Sequence, residues 1–164
     1  MQIAEIILGE LRQEGKSTVR MLERVPADKL DWRPHAKSMS LGELAYHLAG
    51  LPALAVMMLR TGELDTGRAR PAPGAQHDVA AVDMYRRNLD EFRSAIGSMG
   101  DEEMMQPFTL RRGDKVMMEI PKSAMLRTIL LNHSYHHRGQ LSVYLRLLDV
   151  PVPAIYGTSA DEPG

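Results

Sequence analysis

The chain of 164 residues contains no cysteine. This absence excludes a disulfide framework, a cysteine nucleophile and thiolate ligands for a metal ion. Any thiol that reacts at this protein must therefore arrive with the substrate. Aromatic residues are also scarce, with 2 Phe, 5 Tyr and 1 Trp, so the core must consist mainly of aliphatic side chains and some of the 12 methionines.

The chain also lacks an excess of charge of either sign. Its 20 Lys and Arg are balanced by 21 Asp and Glu, which gives a formal net charge of −1. Because affinity for nucleic acid or an anionic membrane depends on clustered positive charge, we expect neither partner. The first ten residues are acidic with an interrupted apolar pattern, unlike a basic segment followed by a long apolar run. They predict a soluble, cytoplasmic protein.

The length of the chain indicates a single domain that covers residues 1–164. Apolar residues recur at helical spacing in four segments. The second segment begins at a capping box of Ser40 and Glu43, and the third follows a predicted cap at Asp78. The sequence therefore predicts an all-α protein with helices at about 2–25, 40–60, 78–98 and 123–148.

The connections between these helices are long. Residues 26–39 and 61–77 are rich in proline and can cross between distant helix ends, which permits neighbours that are not sequential. His35 and His77 lie in these connections, and we expect both to be solvated. The third connection predicts a small β-hairpin over 108–120, because two β-prone runs flank the turn Arg112-Gly113-Asp114.

Two histidines lie one helical turn apart on the most regular apolar stripe of the chain. His133 and His137 are in register with Leu130, Leu141 and Tyr144, so both rings should point into the core. A single inward histidine is usually a core residue with ordinary hydrogen-bond partners. A second imidazole on the same stripe doubles the number of polar groups that need partners, at roughly 1–3 kcal/mol for each unpaired group. One shared divalent cation would satisfy both rings.

His47 is the best candidate for a third ligand. It lies on the inner face of the second predicted helix, among Leu44, Leu48 and Leu51. Three neutral imidazoles from two helices would hold a tetrahedral ion with one open position, as in catalytic zinc sites. Zinc is the default ion, and nickel or iron would also accept imidazole donors.

Residues around this trio offer supporting roles. Glu43, His136 and Gln140 are candidates to orient the ligands, although capping is the favoured role of Glu43. Arg138 is interpreted as a helix-surface ion-pair or interface residue. No general base is evident, although Tyr46, Tyr135 and Tyr144 could donate hydrogen bonds near the ion.

These patches resemble the DinB-like (DNA-damage-inducible) family of helical metalloproteins. The resemblance rests on Leu30-Asp31-Trp32-Arg33-Pro34, on the inward His47, and on the run His133-Ser134-Tyr135-His136-His137-Arg138-Gly139-Gln140. It implies a four-helix bundle in which His47, His133 and His137 form a metal-binding triad. The family name does not imply nucleic-acid chemistry. Members with assigned activities are mostly metal-dependent transferases of low-molecular-weight thiols, or thiol-dependent isomerases.

Two classes of function follow. The favoured one is a metal-dependent enzyme, a thiol S-transferase that uses bacillithiol, mycothiol or glutathione, or a hydrolase if water takes the open position. The other is a non-catalytic module whose metal ties helices together, as a dimer or as a site for a partner. A structural role would favour a closed site with four ligands. A homodimer is expected because related bundles often pair, and the sequence identifies no substrate.

Overall fold

The computed structural model describes residues 2–68 and 79–163, and most of these residues are helical, which confirms the predicted class. The predicted cap Asp78, the histidine His77 and most of the second connection lie outside the described residues. The long helices are α1 (Ile3–Leu22), α2 (Leu41–Thr61), α3 (Ala81–Gly97) and α6 (His133–Leu147), and the shorter ones are a 3₁₀ turn (Ala27–Lys29), α4 (Asp101–Met104), α5 (Lys122–Met125) and a π-helix (Leu126–Asn132).

Helix α2 has the clearest start and end signals. The predicted capping box forms, because the Ser40 hydroxyl accepts from the Glu43 backbone N–H at 3.1 Å and the Glu43 carboxylate accepts from the Ser40 N–H at 2.6 Å. The helix ends at Gly62, whose φ of 69° is left-handed and suits a residue without a Cβ. These signals fix where His47 lies along the helix.

The long helices do not pack in sequence order. Helix α1 contacts α3 and α6, and α2 also contacts α3 and α6. Long connections permit this arrangement, as the sequence predicted. Helix α2 is apolar and long enough to cross a membrane by length and composition, but 67% of its most apolar window is buried, as in the core helix of a soluble protein. The side chains that line its inner face include Leu41, Leu44, Leu48, Leu51 and Met58.

The predicted hairpin forms and is part of a three-stranded sheet. Strands β2 (Pro107–Arg112) and β3 (Lys115–Pro121) are antiparallel, and β1 (Glu63–Asp65) lies parallel to β2. The predicted hairpin is therefore confirmed, and the third strand, β1, was not predicted. A strand of three residues is too short to show a periodic pattern. It is held by its pairing with β2 and by the Arg111 guanidinium, which donates to the Glu63 carboxylate at 3.0 and 3.1 Å.

The last helical run differs from the single α-helix that the sequence predicted. Between α5 and α6 the backbone forms a π-helix, whose hydrogen bonds span five residues instead of four. This wider turn changes the angular spacing of the side chains just before His133. Leu126, Leu130 and Leu131 are all fully buried there, so the core face is broader than the predicted stripe.

Arg138 is also placed differently from the prediction. Only 3% of the residue is exposed, and its guanidinium pairs with the Glu14 carboxylate at 2.6 Å and donates to the Glu14 carbonyl at 3.0 Å. The Tyr156 hydroxyl of the C-terminal segment contacts the same carboxylate at 2.7 Å. Arg138 is thus a buried anchor between α6 and α1. A single sequence shows no partner for it, because Glu14 is far away along the chain.

Breaking the buried Arg138–Glu14 pair by removing one partner should destabilise the fold strongly. Replacing Glu14 with leucine leaves a buried guanidinium without its counter-charge, so we expect the free energy of unfolding to fall by about 3 kcal/mol. The matched control is Glu91→Gln, which removes a charge from the exposed Arg60–Glu91 pair (side chains 68% and 48% exposed). This control should lower the free energy of unfolding by no more than about 1 kcal/mol. Urea unfolding measures both, and equal effects would contradict the anchoring role.

Candidate metal centre

Three histidine rings meet between α2 and α6. His47 comes from the first half of α2, and His133 and His137 come from the first two turns of α6. The Nε2 atom of His133 lies 3.3 Å from Nε2 of His47 and 2.7 Å from Nε2 of His137. The three donor atoms all lie within 4.8 Å of one another. The structure therefore brings together the residues that the sequence selected as ligands.

The donor set fits one tetrahedral metal ion. With zinc–nitrogen bonds of about 2.0–2.1 Å, two ligand nitrogens in a tetrahedral site lie about 3.3–3.4 Å apart. The separation of 3.3 Å between Nε2 of His47 and Nε2 of His133 agrees with that geometry, whereas the 2.7 Å between His133 and His137 is shorter, so these two rings would move apart slightly around an ion. Three neutral imidazoles also present lone pairs to the same point, where a cation would satisfy them together. Within residues 2–68 and 79–163, the group consists of these three histidines, which leaves a fourth position for an incoming molecule.

Two of the three rings are also hydrogen-bonded to neighbouring groups of the chain. The Nδ1 of His137 donates to the Gln140 amide oxygen at 2.8 Å, because a carbonyl-type oxygen can only accept. The His133 ring is hydrogen-bonded to the backbone of Ile129. Such contacts fix the tautomer and leave Nε2 free for a metal. Gln140 was among the predicted orienting residues, whereas the role of Ile129 was missed.

The contact with Ile129 lies at the junction of the π-helix and α6, where the backbone hydrogen bonds are irregular. In a regular α-helix, the backbone N–H of His133 would bond to the carbonyl four residues earlier. Here it bonds to the Leu130 carbonyl instead, and the Ile129 backbone bonds the ring. A wide turn next to a functional group is a recurrent feature of π-helices. No residue type in the segment signals the change of hydrogen-bond pattern.

Burial lowers the pKa of all three rings and so favours their neutral form. Burial, followed by repulsion from the nearby His137 and His133 rings, lowers the pKa of His47 from 6.5 to about 4. Burial also lowers the pKa of His133 despite the Ile129 hydrogen bond, and it lowers the pKa of His137 despite the Gln140 hydrogen bond. Because metals bind the neutral form of imidazole, the fold prepares the rings for coordination.

The other candidate residues have different surroundings. Glu43 caps α2, and its carboxylate lies 3.7 Å from the Arg33 guanidinium. His136 is exposed, and its ring lies edge-on to His137 with 4.9 Å between centroids. His35 is exposed, as expected. The three tyrosines that could donate near an ion have other acceptors: Tyr46 donates to Val79 O at 2.9 Å, Tyr135 to Glu10 at 2.5 Å, and Tyr144 to Met39 O at 3.2 Å.

Comparison with known proteins shows the family and the fold of this chain. The family model described as the DinB family matches residues 1–163. The uncharacterized protein YrdA of Bacillus subtilis (strain 168) is 24% identical over 149 residues, which is 91% of this chain and 85% of that protein. A DinB-like protein from Bacillus cereus ATCC 10987 is 25% identical, with a TM-score of 0.69 over 93% of this chain and 97% of its own.

A second solved structure supports the fold alone. The DinB-like protein YjoA from Bacillus subtilis superposes with a TM-score of 0.70 over 91% of this chain and 96% of its own, at 17% identity. Both superpositions extend over nearly the whole chain, so the likeness is not confined to the histidine-bearing helices.

The hydrogen bond between Gln140 and His137 should strengthen metal binding. Gln140→Ala removes the acceptor that fixes the ring, and we expect the affinity for Zn²⁺ to fall about 10- to 100-fold. Gln140→Glu keeps an acceptor at the same place and should restore affinity. Competition with a chromophoric chelator measures both variants at one pH. An alanine variant with unchanged affinity would show that the hydrogen bond has no part in coordination.

The metal-free protein should lose stability in mild acid. The pKa values of the three imidazoles are lowered from 6.5 in the folded chain, so below that value the unfolded chain binds more protons. Stability is therefore fully present above pH 6.5 and is lost as the pH falls toward about 4. Urea unfolding of metal-free protein at several pH values tests this. His47→Asn should show a smaller loss than the wild-type chain over this range, and an equal loss would assign the acid sensitivity to other groups.

Proposed function

The chain belongs to the DinB family, and from this membership and its converging histidines we propose that it is a metal-dependent enzyme, specifically a low-molecular-weight-thiol S-transferase. The observation that carries the proposal is the approach of three Nε2 atoms from two helices toward one point. The family membership supports the same assignment but does not define the reaction.

The number of donors favours catalysis over a structural role. Structural zinc sites are usually closed by four protein ligands, whereas catalytic sites keep one position for water or substrate. Among the residues that the structure describes, the group has three donors. A metal with an open position can act on a substrate, so this feature favours the enzyme over a helical module that the metal merely stabilises.

We propose zinc as the resident ion, with nickel or iron as other ions that imidazole donors accept. When bound, the ion would supply a positive charge that favours the thiolate form of a bound thiol, or that lowers the pKa of bound water toward about 7. The chain itself contributes the orientation of the rings and conditions that favour their neutral form. Gln140 and the Ile129 backbone orient two of the rings, and burial favours the neutral form of all three rings.

The missing cysteines determine where the thiol comes from. With no thiol in the chain, the nucleophile is a small exogenous thiol, for which we propose bacillithiol, mycothiol or glutathione. Its sulfur forms a bond to an electrophilic carbon of the second substrate, the bond from that carbon to the leaving group breaks with its electron pair, and the thiol proton passes to solvent. Because such thiols stay reduced in the cytoplasm, we propose that the protein acts there.

The proposal extends to the arrangement of the helices. Contacts of α1 with α3 and α6, and of α2 with the same two helices, support a four-helix bundle with long crossovers. In that arrangement the histidines of α2 and α6 face each other across the inside of the bundle. Small substrates would approach from the end of the cluster that the three rings leave open.

Metal analysis and a conjugation screen test the function together. Protein purified without a nickel column should contain about one divalent ion per chain, and it should conjugate one of the three thiols to electrophiles such as 1-chloro-2,4-dinitrobenzene. Removal of the metal by a chelator should abolish turnover, and added Zn²⁺ should restore it. His133→Ala should lose both metal and turnover while its circular dichroism stays helical.

The control for this variant is His35→Ala, which removes an exposed imidazole outside the cluster and should change neither property. A His133→Ala protein that retains its metal would refute the triad. Metal-dependent ester hydrolysis without any effect of thiol would replace the transferase by a hydrolase. Stoichiometric metal with no turnover across thiols and electrophiles would favour the structural role.

A further inference from the structure

We propose that a groove between α1 and α3 binds a small phosphate monoester that carries a short apolar chain. The groove has a volume of about 500 Å³, which falls within the range of about 300–1,000 Å³ that is typical of small-molecule sites. It is separate from the metal cluster, which lies between α2 and α6. The proposal therefore goes beyond the function proposed above and does not depend on it.

The floor of the groove is apolar. Gly15, Val19 and Leu89 line it, of which Gly15 and Leu89 are buried and Val19 is half-buried. A Cβ on Gly15 would lie only 3.1 Å from the Leu89 side chain, so the glycine permits α1 and α3 to approach closely. Longer side chains on both helices then form walls above this floor. Such a floor can remove the hydrocarbon part of a ligand from water.

The walls of the groove are basic. They carry five cations and one carboxylate, which are Arg12, Lys16, Arg20, Arg86, Arg93 and Asp90. The charge of Asp90 is compensated, because its carboxylate pairs with the Arg93 guanidinium at 3.0 Å. The groove therefore has a positive potential, although the whole chain has a formal net charge of −1.

Two of the five cations have charge to offer a ligand. The other three each pair with a carboxylate of this chain. Within residues 2–68 and 79–163, neither Arg12 nor Lys16 forms an ion pair. They are one helical turn apart on α1, about 6 Å along its axis, so both side chains can reach one anionic group.

The acidic residues in the same part of α1 face a different part of the protein. Glu10 pairs with Arg127 at 2.5 Å, and Glu14 pairs with Arg138 at 2.6 Å. Residues two positions apart on a helix point about 200° apart, so Arg12 points away from both of these carboxylates. The nearest carboxylates in the sequence are therefore held by other cations, and Arg12 and Lys16 are available to an anion from outside.

A phosphate monoester suits this pair of cations better than a carboxylate does. It carries a charge of about −1.5 to −2 near neutral pH and has three acceptor oxygens. The Arg12 guanidinium can donate two parallel hydrogen bonds to such a group, and the Lys16 ammonium adds a second positive charge. The apolar chain of the ester would then lie on Gly15, Val19 and Leu89.

The length of the groove limits the size of its occupant. The basic wall on α1 extends from Arg12 to Arg20, which is about 12 Å along the helix axis. This length suits a short hydrocarbon chain, whereas a helical segment of another protein would extend well beyond both ends. The size of the groove and its charge thus favour a small amphipathic anion.

Calorimetric titration of the full chain with hexyl phosphate tests the site. One molecule per chain should bind at least about 10-fold more tightly than inorganic phosphate or hexanol, because only the ester contacts both the walls and the floor. Heptyl phosphate should bind about 3-fold more tightly than hexyl phosphate, because the floor buries one more methylene. Equal binding of inorganic phosphate would show a general attraction to surface charge and would overturn the proposal.

A double variant tests the basic wall. Arg12→Ala/Lys16→Ala removes the two cations that are free to bind, so the dissociation constant for hexyl phosphate should rise at least about 10-fold. Its matched control, Arg87→Ala/Lys115→Ala, removes one exposed arginine and one exposed lysine outside the groove. The control should change the dissociation constant by no more than about 2-fold, because distant surface charges are screened. Equal effects of the two double variants would contradict the assignment.

A bulky side chain tests the floor without a change in charge. Val19→Trp should fill part of the groove and raise the dissociation constant at least about 10-fold. Val143→Trp, at an exposed position on α6 outside the groove, should leave binding unchanged. Helical circular dichroism establishes that each variant is folded.

The His133→Ala variant separates this site from the metal cluster. A phosphate group can also bind a metal ion, but the groove does not include His133, so this variant should bind hexyl phosphate as the wild type does. Loss of binding in His133→Ala would assign the ester to the metal cluster and overturn the proposal. Failure of the proposed function, seen as absent metal or absent turnover, would leave the result of the titration unaffected.

Discussion

Three imidazoles lie close together in a small, partly buried space, and the surrounding structure keeps them in that arrangement. Rings of the same kind cannot all satisfy one another, since each Nε2 offers a lone pair to the same point. The fold favours the neutral form of the rings by burial and occupies the opposite nitrogens of two rings with Gln140 and the Ile129 backbone. What remains is a set of donors that a divalent cation satisfies.

The geometry of this cluster depends on how α6 is held. Arg138 follows His137 directly, and neighbours on a helix point about 100° apart, so one stretch of α6 faces both α2 and α1. The buried pair of Arg138 with Glu14 fixes the α1 side, and Tyr135 adds a second contact through Glu10. These polar contacts join α6 to α1 and so help to define the orientation in which the rings of His133 and His137 face that of His47.

Local sequence signals were sufficient for most of the helices and for the choice of ligands. The capping box at Ser40, the hairpin turn around Gly113 and the spacing of His133 and His137 each depend on residues close together in the chain. The features that were missed depend on distant partners or on backbone pattern. Strand β1 exists through its pairing with β2, Arg138 is buried by Glu14, and the π-helix has no residue signature.

The sequence by itself determined that the protein is mainly helical, that it has no thiol of its own, and that three inward histidines are available as ligands. These properties follow from residue type and periodicity, which are local. Only the tertiary structure decided that the three Nε2 atoms meet, which backbone orients His133, and that Arg138 is buried against Glu14. These three features depend on the relative positions of helices that are far apart in the chain, and such positions result from packing of the whole core.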